Sequence, residues 1–245
     1  MSRFFTQRDV HSARLLMTAS PAAVKYFDEQ LQGLTEAIKN HPKIAPEGKK
    51  TLRAAVTAFE QRKAQVEARM CEMGWVWQEQ RPWNPEGASR LVEAGFASGQ
   101  LDHYPASAAS ERGWVSSFFW PARVDSFRGA WTGPVYVLTD GKTGSSAEMF
   151  TATMRDNLIA KMVGTPTVGA GAGFMVDEPP VELPHSHLRF QIPNCVRLRA
   201  DGTNEVAGIK PDIPVLPTEG EDPRGRATRA LETIEADLVT SQALK

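Results

Sequence analysis

Residues 133–175, GPVYVLTDGKTGSSAEMFTATMRDNLIAKMVGTPTVGAGAGFM, decide how this chain folds. Residues 134–139 read as a buried strand that turns on Asp140-Gly141 and enters a helix through Thr143-Gly144-Ser145-Ser146. The helix is expected to end near Asn157, followed by an apolar strand at Lys161–Gly164 and a glycine- and alanine-rich loop. Strands and helices alternate, which is an α/β arrangement. A strand that turns and delivers a hydroxyl to a helix start is a good place for a nucleophile. The helix dipole and its unpaired N–H groups favour negative charge there. Yet Ser145 with Glu148 three residues on is also a capping box. The local pattern leaves both roles open.

Composition bounds the rest. A chain of 245 residues, 41% hydrophobic and 23% charged, can bury one large core or two smaller ones. A net charge of -1 gives no case for nucleic acid or an anionic membrane surface as the main partner. No apolar run approaches the roughly 20 residues that span a bilayer. Cys71 and Cys195 form no disulfide framework. The opening MSRFFTQRDVHSARLL lacks the features of a signal peptide and resembles mid-domain sequence.

Before the central stretch, Val24, Phe27, Leu31, Leu34 and Ile38 alternate spacings of three and four, one stripe of a helix over residues 21–39. Ser20 is its expected N-cap and Pro21 its first residue. After a breaker-rich connection at 41–48, a second helix over 50–73 carries Leu52, Val56, Phe59, Val66, Met70 and Met73, with Lys63 interrupting the seam. The two read as an antiparallel hairpin, a packing element first and a lid or self-association arm second. Trp75, Trp77 and Trp83 read as loop anchors. A short helix is expected over 85–97, a polar loop over 100–112 and a strand over 114–120. Downstream, three short strands at 181–183, 188–192 and 196–198 precede a turn at Asp201-Gly202, a strand at 213–215 and a helix over 223–238. The expected organisation is a mainly helical insert at 1–125, a core carrying the nucleophile at 126–218 and a terminal helix at 219–245.

With the chain laid out, a family becomes recognisable. The run Thr143-Gly-Ser-Ser-Ala-Glu-Met-Phe150 resembles the nucleophile segment of the C-terminal processing (tail-specific) serine peptidases, of the tricorn-like and interphotoreceptor retinoid-binding-like branch. Arg155-Asp156, Ala160-Lys-Met-Val-Gly164, Thr167-Val-Gly-Ala-Gly171 and Glu205-Val-Ala-Gly-Ile-Lys-Pro-Asp212 resemble further family segments in the family's order. The resemblance implies a ClpP/crotonase-like spiral of β-α units, here with an N-terminal helical-hairpin insertion, and peptide-bond hydrolysis on a polypeptide substrate. It implies that Ser145 attacks the scissile carbonyl and that the Ser146 backbone N–H is one oxyanion donor. Gly169, Ala170 and Gly171 would lie at the substrate, without a metal or cofactor. Peptidases of this kind are often exported.

Two departures matter. Serine–lysine members carry a lysine in the glycine loop, where this chain has Ala170, so that mechanism is not expected. Lys161, in the following strand, reads as a surface or salt-bridging lysine. The tricorn-like branch uses a histidine oriented by a glutamate, and Glu205 occupies that glutamate's position, although a solvated turn carboxylate is the plain alternative. No D-L-R-x-N-x-G-G-like segment, the family's source of the histidine and second oxyanion donor, occurs before Gly133. None of the five histidines is assigned as the base, His11 being the least unsuited because it lies near the start of the chain, and His185 and His187 lack a third ligand for zinc. The expectation is the C-terminal part of a longer peptidase, incomplete without an upstream segment. A non-catalytic relative that binds an apolar ligand or polypeptide is the alternative.

Overall fold

The computed structural model describes residues 2–40, 44–70, 91–103, 112–171, 173 and 180–243. It is a mixed α/β structure in which two small sheets position everything else. Strand β1 (Arg14–Thr18) lies between β2 (Leu91–Phe96) and β7 (Cys195–Leu198), antiparallel to both. The second sheet is parallel, in the order β3 (Tyr136–Thr139), β4 (Lys161–Gly164), β8 (Ile213–Pro214). A hairpin of β5 (Val181–Glu182) and β6 (Arg189–Phe190) stands as a two-stranded sheet of its own. Because β1 pairs with β7, the first sheet takes strands from both sides of position 125.

Helices α1 (Pro21–Asn40) and α2 (Pro46–Arg69) form the expected hairpin. Ser20 caps α1, its Oγ accepting from the Ala23 N–H at 3.2 Å. The stripe does what apolar spacing dictates. Phe27, Leu34, Leu52, Phe59 and Val66 are fully buried, and the Phe27 and Phe59 rings meet edge-on at 5.7 Å. Helix α2 starts four residues earlier than the pattern suggests, because Pro46 suits the first turn, where no N–H is needed. Lys63 does not break the seam; it lies at the rim and reaches Asp28 of α1 at 2.6 Å. The hairpin shares one core with β1, β2, Cys195 of β7 and α3 (Arg112–Phe118), so its stripe is buried within this chain.

Two local expectations fail. Residues 91–96 form a strand, not a helix. Its short apolar run does not distinguish the two by period, and pairing with β1 buries Val92 and Ala94 on one face. Residues 112–118 form a helix, not a strand. Val115, Phe118 and Phe119 are buried at helical spacings that the run of bulky residues disguises as alternation. Pro121 lies inside the 3-10 helix Trp120–Phe127 rather than ending a strand.

The parallel sheet has a small core. Val163 and Val215 pack with Ala230 of the terminal helix α5 (Pro223–Ala243), flanked by Tyr136, Ile213 and Ile234. Helix α4 (Ser146–Asp156) connects β3 to β4, with Asn157 as its C-cap. Lys161 is salt-bridging, as expected, with Nζ 2.8 Å from Asp237 on α5. No helix among the described residues is long and apolar enough to cross a membrane. The three tryptophans at 75, 77 and 83, with His41 and Met73, lie outside the described residues.

Candidate active site

The turn between β3 and α4 is fixed by Asp140. Its carboxylate accepts from Lys142 N–H at 2.9 Å and from Thr143 Oγ1 at 3.2 Å, and those bonds hold its pKa down. Gly144 follows because a Cβ there would meet Val168 Cγ1 at 2.8 Å, while Val168 N–H donates to the Thr143 carbonyl at 3.0 Å. The glycine lets the later loop approach the helix start.

Ser145 comes next, exposed, with φ 54 and ψ -119. A positive φ on a non-glycine residue costs about 1–3 kcal/mol and persists only where its surroundings over-determine it. Here they do. Ser145 N–H donates to Glu148 Oε2 at 3.1 Å, and Glu148 is itself fully buried. That carboxylate also accepts from Thr167 Oγ1 at 2.7 Å, Gly169 N–H at 2.6 Å and Ala170 N–H at 2.8 Å. Burial alone would raise its pKa, but these bonds to the charged form outweigh it and hold the group below the usual glutamate range. Glu148 is thus more than the cap partner its spacing suggested; it clamps the glycine loop to the start of α4. Ser146, the first residue of α4, points its N–H along the helix start, where the helix itself supplies no acceptor.

The loop continues the connection. Gly169 has φ +77, and a Cβ there would fall 2.3 Å from the Val206 carbonyl, so only glycine fits. The Gly171 carbonyl accepts from Arg197 Nη2 at 2.5 Å, and Arg197 Nε donates to Glu205 Oε2. Glu205 opens the 3-10 helix Glu205–Ala207 and is fully buried, so it is not a solvated turn carboxylate. Its Oε1 is buried with no partner among the described residues. Burial pushes its pKa up; Arg197 opposes, and the nearby Glu148 carboxylate reinforces the rise.

Of the expected site residues, Ser145, Gly169 and Ala170 therefore meet at Glu148, and Gly171 and Glu205 at Arg197, in one assembly along the glycine loop, with Ser146 beside Ser145 at the start of α4. Arg197 and Thr167 complete it and were missed. Arg197 has no sequence signal, since alternation around Val196 and Leu198 would turn it outward; in the structure β7 buries Cys195, Arg197 and the neighbouring Arg199 instead. Thr167 could have been found as the residue opening the glycine loop.

The histidines lie elsewhere. His11 exchanges hydrogen bonds with Asn157, its N–H to Oδ1 at 2.8 Å and its carbonyl from Nδ2 at 2.8 Å. That places it at the far end of α4 from Ser145, about 16 Å away along an eleven-residue helix. It is not positioned as the base. His185 and His187 lie in the turn of the β5–β6 hairpin, not on a strand face, with His187 3.0 Å from Glu182.

The strand β3 turns into a helix at whose start an exposed serine stands at a strained φ. The sequence pattern of peptidase family S41 matches residues 48–215, more than half of the chain, and the chain belongs to that family of serine-type peptidases. Mature CPAF complexed with lactacystin has a similar fold, with a TM-score of 0.57 at 14% identity over 98% of this chain and 41% of that one. The photosystem II D1 C-terminal processing protease matches at 20% identity over 42% of this chain and 26% of that one, with a TM-score of 0.28. The chain thus spans about two fifths of the length of CPAF. A comparison with curated protein sequences finds no match.

Proposed function

We propose that this chain carries the nucleophile half of a tail-processing serine peptidase. Ser145 attacks the scissile carbonyl, and Ser146 N–H stabilises the oxyanion at the start of α4. Glu205 orients a histidine base that comes from outside the described residues, and the second oxyanion donor comes from there too. The loop Gly169–Gly171 lies beside an extended polypeptide substrate bound by strand addition. The fold extends to a ClpP/crotonase-like spiral in which the helical hairpin is an insertion.

The observation that carries this reading is the buried, unpartnered Oε1 of Glu205 in an otherwise satisfied polar network. A lone buried carboxylate oxygen is costly unless something donates to it, and an imidazole N–H is the donor that the histidine-dependent reading supplies. No histidine among the described residues hydrogen-bonds Ser145, which agrees with a base supplied by another segment.

Fluorophosphonate labelling of the full-length gene product, with the adduct mapped by mass spectrometry, tests the assignment. The expected result is a single adduct on Ser145. An adduct on another serine overturns the nucleophile, and no adduct on a folded full-length protein favours a binding module.

A further inference from the structure

We propose that His11, Asp102 and His103 form a binding site for a divalent transition metal of the zinc type. His11 Nδ1 lies 2.9 Å and His103 Nδ1 3.4 Å from the same oxygen, Asp102 Oδ2, and the two imidazoles are 4.7 Å apart between centroids. One ligand atom from each residue falls within 4.8 Å of the others. Ligands bound to zinc at about 2.0–2.1 Å in a tetrahedron are about 3.3 Å from one another, so both nitrogen-to-oxygen spacings bracket a tetrahedral edge. Two borderline imidazole nitrogens beside one hard carboxylate oxygen suit zinc, cobalt or nickel better than the oxygen-seeking magnesium or calcium, which favour all-oxygen sites.

The site is built on anchored backbone. His11 is clamped on both its N–H and its carbonyl by Asn157, the cap of α4. Ser12 N–H donates to the other Asp102 oxygen at 3.3 Å, which fixes the carboxylate's orientation as a metal ligand's usually is. All three side chains remain accessible, half-exposed for the histidines and a third exposed for the aspartate, so a cation enters from solvent and water fills the fourth position. A metal here would tie the entry to β1, the loop after β2 and the end of α4 into one unit. It sits at the opposite end of α4 from Ser145, so it is a structural clip and takes no part in catalysis. His11 is 91 residues from Asp102 in sequence, and no spacing motif announces the three ligands.

Titration of the purified protein with cobalt(II) chloride, followed by visible absorption, tests the site, with zinc chloride then added in competition. The expected result is one cobalt per chain with the intense visible band of a four-coordinate ion, bleached by zinc. His11→Ala and His103→Ala should each weaken binding by about tenfold or more, with unchanged circular dichroism because both side chains are exposed. The double variant His185→Ala/His187→Ala, which removes the other histidine–carboxylate pair, should bind as wild type does. Zinc should raise the melting temperature of the wild type but not of His11→Ala, and should leave fluorophosphonate labelling unchanged. Wild-type affinity in His11→Ala, binding that follows His185 and His187, or only a weak six-coordinate spectrum would each overturn the proposal.

Discussion

The two halves of this molecule are held together by different physics. Around the α1–α2 hairpin and the β2-β1-β7 sheet, the stabilising contacts are apolar, and Phe27, Leu34, Leu52, Phe59 and Val66 exclude water completely. Around the β3-β4-β8 sheet the buried apolar cluster is Val163, Val215 and Ala230. There, buried charge takes over: Glu148 with four donors, and Arg197, reaching across from β7 of the first sheet, between Gly171 and Glu205. Apolar packing is tolerant of local rearrangement, while a satisfied polar network has one low-energy arrangement. The first half supplies stability. The second supplies geometry.

That contrast can be broken at several points. Phe59→Ala should cost about 3–5 kcal/mol in denaturant unfolding, because it empties a fully buried ring site against Phe27. A loss under about 1 kcal/mol would mean that the hairpin is not the stabilising half. Glu148→Gln keeps the shape but not the charge, and should cost about 3 kcal/mol by weakening several charge-assisted bonds at once. Hydrogen exchange should show lost protection at Gly169 and Ala170, with the hairpin amides unchanged.

The same residue predicts a pH dependence. The folded-state pKa of Glu148 is depressed, so its contribution is complete above the unfolded glutamate value of about 4.3 and is lost as pH falls through the lower folded value. Wild-type stability should therefore drop on the acid side more steeply than that of Glu148→Gln. Glu205 has the opposite sign. Its raised pKa favours the fold at low pH and works against it as pH rises through the folded value.

Smaller effects sharpen the contrast at glycines. Gly169→Ala should cost about 2 kcal/mol, from its positive φ and the clash with the Val206 carbonyl. Gly33→Ala, in α1 with open space around it, should instead stabilise by about 0.5–1 kcal/mol. Thermal unfolding of the two variants side by side reads both signs.

Much of this was legible in the sequence, for reasons that differ by region. The β3–α4–β4 unit and the hairpin follow from local period and turn residues, and Lys161–Gly164 emerges with the bounds the pattern suggests. The strand at Leu91–Phe96 was hidden because its identity depends on a partner some 75 residues away. Residues 112–118 were hidden because bulky residues mask a helical period. At the site, Ser145, Ser146, Glu205 and the glycine loop could be named from ordered motif matches. The joining role of Glu148 and Arg197 could not, since a buried ion between distant loops leaves no periodic trace. Nor could the position of His11, which long-range contact with Asn157 carries to the wrong end of α4 for a base.

The most direct test of the account is the peptidase activity of the full-length gene product on an unfolded polypeptide, before and after Ser145→Ala. The account predicts a fall in kcat of about 10⁴-fold or more with little change in KM, as for loss of a nucleophile in a serine hydrolase. Activity within a few fold of wild type after Ser145→Ala would contradict it.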